Sequence, residues 1–264
     1  MLNITNYRKI ILNANFLLIL VISIVEYCFL DKGGRMLEKV IDASKVKNLV
    51  KDGNTLLVGG FGLSGSPLTL IYELLNSDIT DLTVVSNNLG EDGLGLHKLF
   101  EAGKIKKMVG SFFSTNKPAV TAWQKGELQI DLIPQGTLAE ALRAGGAGIG
   151  GFYTKTAVGT ELAEHKEERI IDGERYIFEK AIKGDVSFVR AKKADKLGNL
   201  VYHTTARNFN PMVATAGKIV IAEVDEIVEV GELNAEHIVT PHAYVDYIIQ
   251  SKFVKQGVNY VESR

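Results

Sequence analysis

The stretch Asp52-Gly53-Asn54-Thr55-Leu56-Leu57-Val58-Gly59-Gly60-Phe61-Gly62-Leu63-Ser64-Gly65-Ser66-Pro67 decides how the rest of the chain is read. Thr55 to Val58 is a continuous apolar run with no polar alternation, the pattern of a strand covered on both faces. Four glycines follow. Pro67 then stands where a helix can begin, because its missing N–H is an orphan there in any case. Leu68, Ile71, Leu74 and Leu75 continue at helical spacing. In such a strand–turn–helix the bare glycine backbone can approach a ligand closely, and the helix N-terminus favours negative charge. Gly60, Gly62 and Gly65 also satisfy the dinucleotide pattern GxGxxG. That reading requires an acid at the end of the next strand. The next strand, Leu82 to Val85, ends in Ser86-Asn87-Asn88, and Asp78 and Asp81 lie before it. Three readings stay open: a tight turn with no ligand, a dinucleotide site, and a site for a different anionic or acyl ligand.

Outward from this stretch the pattern is β-α repeated. Asp42 to Val50 reads as a short capped helix, Gly93 to Ala102 and Ala119 to Gln124 as helices, and Lys106 to Gly110 and Leu128 to Ile133 as strands. Thr137 and Glu140 have the spacing of a capping box that opens a helix through Leu138, Ala141 and Leu142. Past residue 150 strands dominate: Ile170 to Phe178 as a hairpin turning at Asp172-Gly173, then Val186 to Arg190, Asn199 to Tyr202 and Ile219 to Glu223. We expect an α/β fold, an open, mostly parallel twisted sheet with helices on both faces and a strand-rich, irregular second half. No internal repeat is visible. One domain spans 36–252, and the polar tail 253–264 is expected to fray.

Composition narrows the function class. Hydrophobic residues make up 46% and charged residues 23% of the 264 residues, which excludes a disordered or fibrous chain. Lys and Arg number 30 against 31 Asp and Glu, for a formal net charge of -1, so no electrostatic ground exists to expect nucleic acid or an anionic membrane as partner. Cys28 is the one cysteine, which rules out an internal disulfide and points to a reducing, cytoplasmic setting. Residues 1–35 differ from the body. Their clean apolar run, Phe16 to Val25, is too short to span a bilayer, and no small-x-small cleavage site follows it. Lys32-Gly33-Gly34-Arg35 before Met36 is what a purine-rich ribosome-binding site would encode. We expect translation to start at Met36 and 1–35 to be a gene-calling artefact; a signal or anchor and a genuine extension are the competing readings.

In open α/β sheets ligands lie beyond the carboxyl ends of the strands. Gly59 to Gly65, Asn87-Asn88 and Gln135 after Pro134 stand at three such ends. All are uncharged hydrogen-bonding groups that suit a carboxylate, a thioester carbonyl or its oxyanion. A second cluster, Gly145-Gly146-Ala147-Gly148-Ile149-Gly150-Gly151, reads as a functional lid, a backbone oxyanion site or a flexible connector. A nucleophile is missing. Ser64 and Ser66 lie in no GxSxG elbow, and His97, His165, His203, His237 and His242 show no metal spacing.

The run Asp52 to Pro67, with Val84-Val85-Ser86-Asn87-Asn88, Pro134 to Glu140, Arg143 to Ile149, Phe152-Tyr153-Thr154 and Thr205 to Pro211, resembles class I coenzyme A transferases, nearest the A subunits of the 3-oxoacid enzymes. The similarity runs from about Met36, where members of the family start, to Ile249. It implies coenzyme A as a substrate rather than a bound cofactor. It also implies short-chain acids as co-substrates, either succinate with acetoacetate or acetate and butyrate, and a ping-pong reaction through a glutamate. In the family that glutamate lies in a Ser-Glu-Asn-Gly motif on the B subunit, which the resemblance makes the partner of this chain. The motif is absent here, so no catalytic residue is assigned to this chain. The resemblance makes Gly59, Gly60, Phe61, Gly62, Leu63, Ser64 and Gly65 the coenzyme A loop. Asn87, Asn88 and Gln135 would face the acyl substrate, and Gly145, Gly146 and Gly148 would wall the site. Three departures stand out: Ala157 and His242 replace a usual Gly, and Lys155 a common Pro. A dinucleotide-dependent oxidoreductase and a non-catalytic sensor of the same fold are the alternatives.

Overall fold

The computed structural model describes residues 38–256 and 259–262, with side chains as far as residue 253; the expected leader at 1–35 lies outside the described residues. Lys39–Arg264 forms one compact unit. Its first half is β1 (Thr55–Val58), α1 (Leu68–Leu75), β2 (Leu82–Val85), α2 (Leu96–Glu101), β3 (Ile105–Gly110), α3 (Lys117–Gln124), β4 (Gln129–Leu132) and α4 (Gln135–Gly146). Then come β5 (Gly151–Thr154), β6 (Glu168–Ile171), β7 (Glu174–Lys180), β8 (Gly184–Asp195), β9 (Leu200–Val201), α5 (Asn210–Ala216), β10 (Gly217–Val228), β11 (Tyr247–Gln250), β12 (Phe253–Gln256) and β13 (Asn259–Glu262).

The central sheet has the order β11-β10-β8-β1-β2-β3-β4, and every neighbouring pair along it is parallel. Successive strand residues face opposite sides, so each strand feeds two cores. Leu56 and Val58 pack with Ile71, Leu74, Val84, Leu99 and Met108 beneath α1 to α3. Leu57 packs with Val85, Leu138, Leu142, Val189 and Val213 beneath α4 and α5. Burial on both sides is why β1 and β2 read as unbroken apolar runs, and each such side chain contributes about 1.5–3 kcal/mol. As expected, the sheet is mostly parallel with helices on both faces. The strand-rich half adds an antiparallel sheet, β5-β7-β6. Its hairpin turns at Asp172 and Gly173, whose φ of 51° and 80° are those of a two-residue turn with both centres left-handed.

Four local expectations change. Asp42 caps a 3-10 helix, Ala43–Asn48, through Ser44 N at 2.9 Å. Helix α2 starts at Leu96, because Gly93 and Gly95 at φ 73° and 64° belong to a preceding turn. Thr137 and Glu140 form no capping box. Pro134 already ends the strand and starts α4, so Thr137 is buried one turn in, and Glu140 pairs with Arg143. Beyond Lys252, where fraying was expected, the backbone of β12 pairs antiparallel with β13. Among the described residues no helix is long and apolar enough to cross a membrane.

Candidate functional site

The chain runs from β1 to β4 in one direction across the sheet and from β8 to β11 in the other, so the order reverses between β1 and β8. In this architecture that switch point is where a crevice opens at the strands' carboxyl ends. The turn after β1 stands there. Gly59 N donates to Phe188 O of β8 (2.9 Å), prolonging the sheet by one residue. Phe61 and Ser64 then bond each other, N to O, at 3.0 and 3.1 Å. Gly62 at φ 60° occupies the first centre of this two-residue turn, where a left-handed backbone is required. Phe61 and Ser64 use their N–H groups on each other, so those of Gly62 and Leu63 are left at the tip.

Asn210, fully buried at the start of α5, holds the turn in place. Its Nδ2 donates to Gly65 O (3.0 Å) and Ala206 O (2.9 Å), and its Oδ1 accepts from Arg190 N (2.9 Å). Asn208 Nδ2 adds a bond to Ser64 O at 2.9 Å. A Cβ on Gly59 would lie 1.9 Å from Asn210 Oδ1, and one on Gly65 2.5 Å from Ala206 O. These two glycines serve the packing of the turn, whereas Gly62 has nothing within 4 Å and faces open space. Between the turn and residues 203–206 lies a crevice of about 300 Å³, floored by Arg190, Ala191, Lys192 and Asp225.

The start of α1 is not available to an anion. Glu223 of β10, fully buried, accepts from Leu70 N (3.2 Å) and Thr69 Oγ1 (3.0 Å) in the first turn of that helix. Burial pushes the Glu223 carboxyl up; Arg190, Ser251, Leu70 and Thr69 pull it back down. Arg190 pairs with both Glu223 and Asp225 and donates to Ser251 Oγ (2.9 Å) and Phe253 O (3.0 Å), tying β8, β10 and the chain's last strands together. An internal carboxylate thus fills the place that a pyrophosphate takes in a dinucleotide fold, and the GxGxxG reading fails on this point.

The other expected residues divide. Asn87 is 1% exposed at the end of β2, and neither its Oδ1 nor its Nδ2 has a partner. Asn88 spends its Oδ1 on Gly90 N (3.0 Å), shaping a second turn. Gln135 is exposed at the first position of α4, beyond β4. That second turn echoes the first: Gly90 and Gly95 flank Glu91 to Leu94 as Gly60 and Gly65 flank Phe61 to Ser64, and both pairs close as short bridges. The sequence signal, two GxxxxG segments each following a strand, was there and passed unread. Asp92 of the second turn approaches Nε2 of the buried His97 at 3.2 Å. Asn116 uses its Oδ1 on Ala119 N, so its amide N–H faces His97 Nδ1 (2.6 Å) and the proton sits on Nε2.

Gly145, Gly146 and Gly148 are not brought to this pole. Helix α4 leaves the carboxyl end of β4 and returns along the sheet, so its last turn lies where β8 and β10 begin. There a Cβ on Gly145 would meet Ile182 O at 1.9 Å and one on Gly146 would meet Thr215 Oγ1 at 2.1 Å. Gly145 and Gly146 let α4 press against its neighbours, whereas Gly148, at φ 74°, has nothing within 4 Å. Asn210, Arg190, Glu223 and Asp225 were missed as site-building residues.

A glycine turn stapled over a small polar crevice at the switch point of a parallel sheet defines an α/β protein with an open cleft where this class of fold takes its ligands. Sequence comparison places it further. The family model for Coenzyme A transferase matches residues 40–251. Over 212 residues the chain is 52% identical to the A subunit of a probable succinyl-CoA:3-ketoacid coenzyme A transferase of Bacillus subtilis, covering 80% of this chain and 89% of the relative. It is 41% identical to the alpha subunit of the acetate CoA-transferase of Escherichia coli, over 82% of this chain and 99% of that one. Among solved structures, an acyl-CoA transferase from E. coli O157:H7 has the same fold at a TM-score of 0.74 and 21% identity, over 84% of this chain and 49% of that longer one. Glutaconate coenzyme A-transferase of Acidaminococcus fermentans follows at 0.71 and 17%, over 81% and 75%. The chain belongs to the coenzyme A transferase family.

Proposed function

We propose that this chain is the A subunit of a two-subunit transferase that moves coenzyme A from an acyl-CoA, succinyl-CoA in the first instance, to a 3-oxoacid such as acetoacetate. One observation carries the reading. Asp225, the carboxylate lining the crevice, is engaged by both Arg190 and Lys192, and no thiol lines the crevice with it. Among the described residues the crevice offers neither a thiol nor a carboxylate free of a cation, which supports an attacking carboxylate supplied by a partner, the B subunit of the pair.

In the resulting sequence a partner glutamate attacks the thioester carbonyl, and the C–S bond breaks to give a mixed anhydride and a thiolate. The thiolate attacks the glutamyl carbonyl, releasing the donor acid and leaving a glutamyl thioester. The acceptor carboxylate then attacks that thioester, and the thiolate it releases attacks the acceptor's acyl carbon, so a new acyl-CoA departs and the glutamate is restored. Each addition places charge on a carbonyl oxygen, and in this reading the tip amides of Gly62 and Leu63 are the donors that receive it. Asn87 and Gln135 face the acid.

The chain is to be produced alone and with its partner, and coenzyme A transfer from succinyl-CoA measured for acetoacetate, acetate and butyrate. Activity is expected only from the pair, with the trapped adduct on the partner by mass spectrometry. Turnover by the chain alone, or an adduct on one of its side chains, refutes the assignment. An acetate-first ranking of acids selects the acetate-type enzyme instead.

A further inference from the structure

The chain does not end with the central sheet. Gln250 of β11 is in register with Val224 of β10, one residue short of Asp225 in the crevice. Ser251 N still donates to Val224 O (2.8 Å), and Lys252 N turns to Thr69 Oγ1 (2.9 Å) at the start of α1. From there β12 and β13 run as a separate hairpin, with Val254 in register with Val261 and Lys255 with Tyr260. The root of this arm is fixed. Phe253 O accepts from Arg190 (3.0 Å), and the Phe253 ring lies 5.1 Å from that of Tyr72. One guanidinium therefore holds both the arm's root and Asp225 of the crevice floor.

Past that root the arm has no support of its own. Among the described residues β12 and β13 pair only with each other, so each presents an open row of N–H and C=O groups. A two-stranded hairpin is marginal in water and needs a further strand or a covering surface. Val254, Tyr260 and Val261 are residue types that favour sheets, and no proline blunts either strand.

We propose that this C-terminal arm is a docking element, and that an extended strand of the B subunit pairs along its open edge. The place of the arm selects that occupant over a second copy of this chain. Strand β11 runs parallel to its sheet, so the arm departs from the carboxyl pole at which the crevice opens, and there the partner has to bring its carboxylate. Main-chain pairing supplies affinity over the length of a strand. Its anchor on Arg190 joins the partner's grip to the crevice floor. The inference rests on the two-subunit transferase reading and names the surface by which that partner is held.

Hydrogen exchange of the full chain, alone and with the B subunit, tests this without turnover. The amides of residues 254–262 are expected to exchange freely in the chain alone and about tenfold or more slowly in the complex. Val261→Pro takes an N–H from one edge of its strand or the other, so it breaks either the hairpin or the added pairing. It is expected to raise the dissociation constant of the complex about tenfold. The melting temperature of the isolated chain does not move, because neither core draws on the arm. A complex that forms with no added protection of the arm, or with unchanged affinity in Val261→Pro, overturns the proposal and leaves the transferase standing. A melting temperature that falls in that variant assigns the arm to the fold of this chain, and protection that grows with the concentration of the chain alone assigns it to a second copy; each overturns the proposal. Failure of the two subunits to associate at all overturns the two-subunit reading, and the arm's partner with it.

Discussion

Two glycine-rich segments answer different demands. In Gly59 to Gly65 three of four glycines have left-handed φ, 115°, 60° and 69°, and the turn they build projects from the carboxyl pole. In Gly145 to Gly151 the first two are helical and serve close approach. Their missing Cβ atoms make room for Ile182 O and Thr215 Oγ1, and that of Gly151 for the Phe178 ring. Glycine density says that a backbone is crowded or bent. What occupies the place of the absent side chain says why.

The sharpest way to break this contrast is a pair of substitutions of equal steric severity. Gly59→Ala and Gly145→Ala each put a methyl 1.9 Å from an oxygen, and each is expected to cost about 3 kcal/mol in urea unfolding. Gly59→Ala displaces Asn210 and with it the turn, so transfer is lost even where the complex folds. Gly145→Ala leaves KM of the folded fraction unchanged; an equal KM effect from both would erase the distinction. A Cβ at Gly62 meets no atom within 4 Å, so Gly62→Val works against a φ of 60° rather than against a packed neighbour. It is expected to cost about 1–2 kcal/mol of stability and roughly a hundredfold in kcat through the tip amides.

Smaller effects sharpen the comparison elsewhere. Ala157 stands at φ 70°, a backbone that suits the glycine usual in the family. Ala157→Gly is expected to raise stability by about 1 kcal/mol, read as a higher melting temperature. His242, the other replacement of a family glycine, has its pKa lowered first by burial and then by Lys39. A histidine that resists protonation in the fold contributes stability present above its unfolded pKa of about 6.5 and lost as pH falls below it toward the folded value. His242→Gln is therefore expected to flatten the fall in melting temperature between about pH 7 and 5, with wild type and variant scanned side by side.

The centre of the sheet was legible because its strands are covered on both faces: β1 and β2 appear in the sequence with their observed limits. The turn was legible for the same local reason. Misreadings arose where a local pattern had a second explanation. Thr137 and Glu140 keep capping-box spacing inside a helix that Pro134 had already started. Gly145 and Gly146 looked loose because the carbonyl and hydroxyl pressed against them lie far along the chain. Asn210 and Glu223 reach the first turn and α1 across 145 and 153 residues, and no window of sequence reveals such a bond. The one clue was polarity out of place: a Glu within the apolar run Ile219 to Val224.

Strand β1 is sandwiched between β2 and β8, so Leu56 registers with Val84 on one side and Val186 on the other. Its first neighbour emerges from the ribosome promptly; its second must wait for more than a hundred further residues, and Asn210 and Ser251 for more still. A nascent or truncated chain ending short of them displays the glycine turn without floor or staple. The crevice is therefore completed late and all at once, and an interrupted product has the turn but not the walls that would make it a cleft.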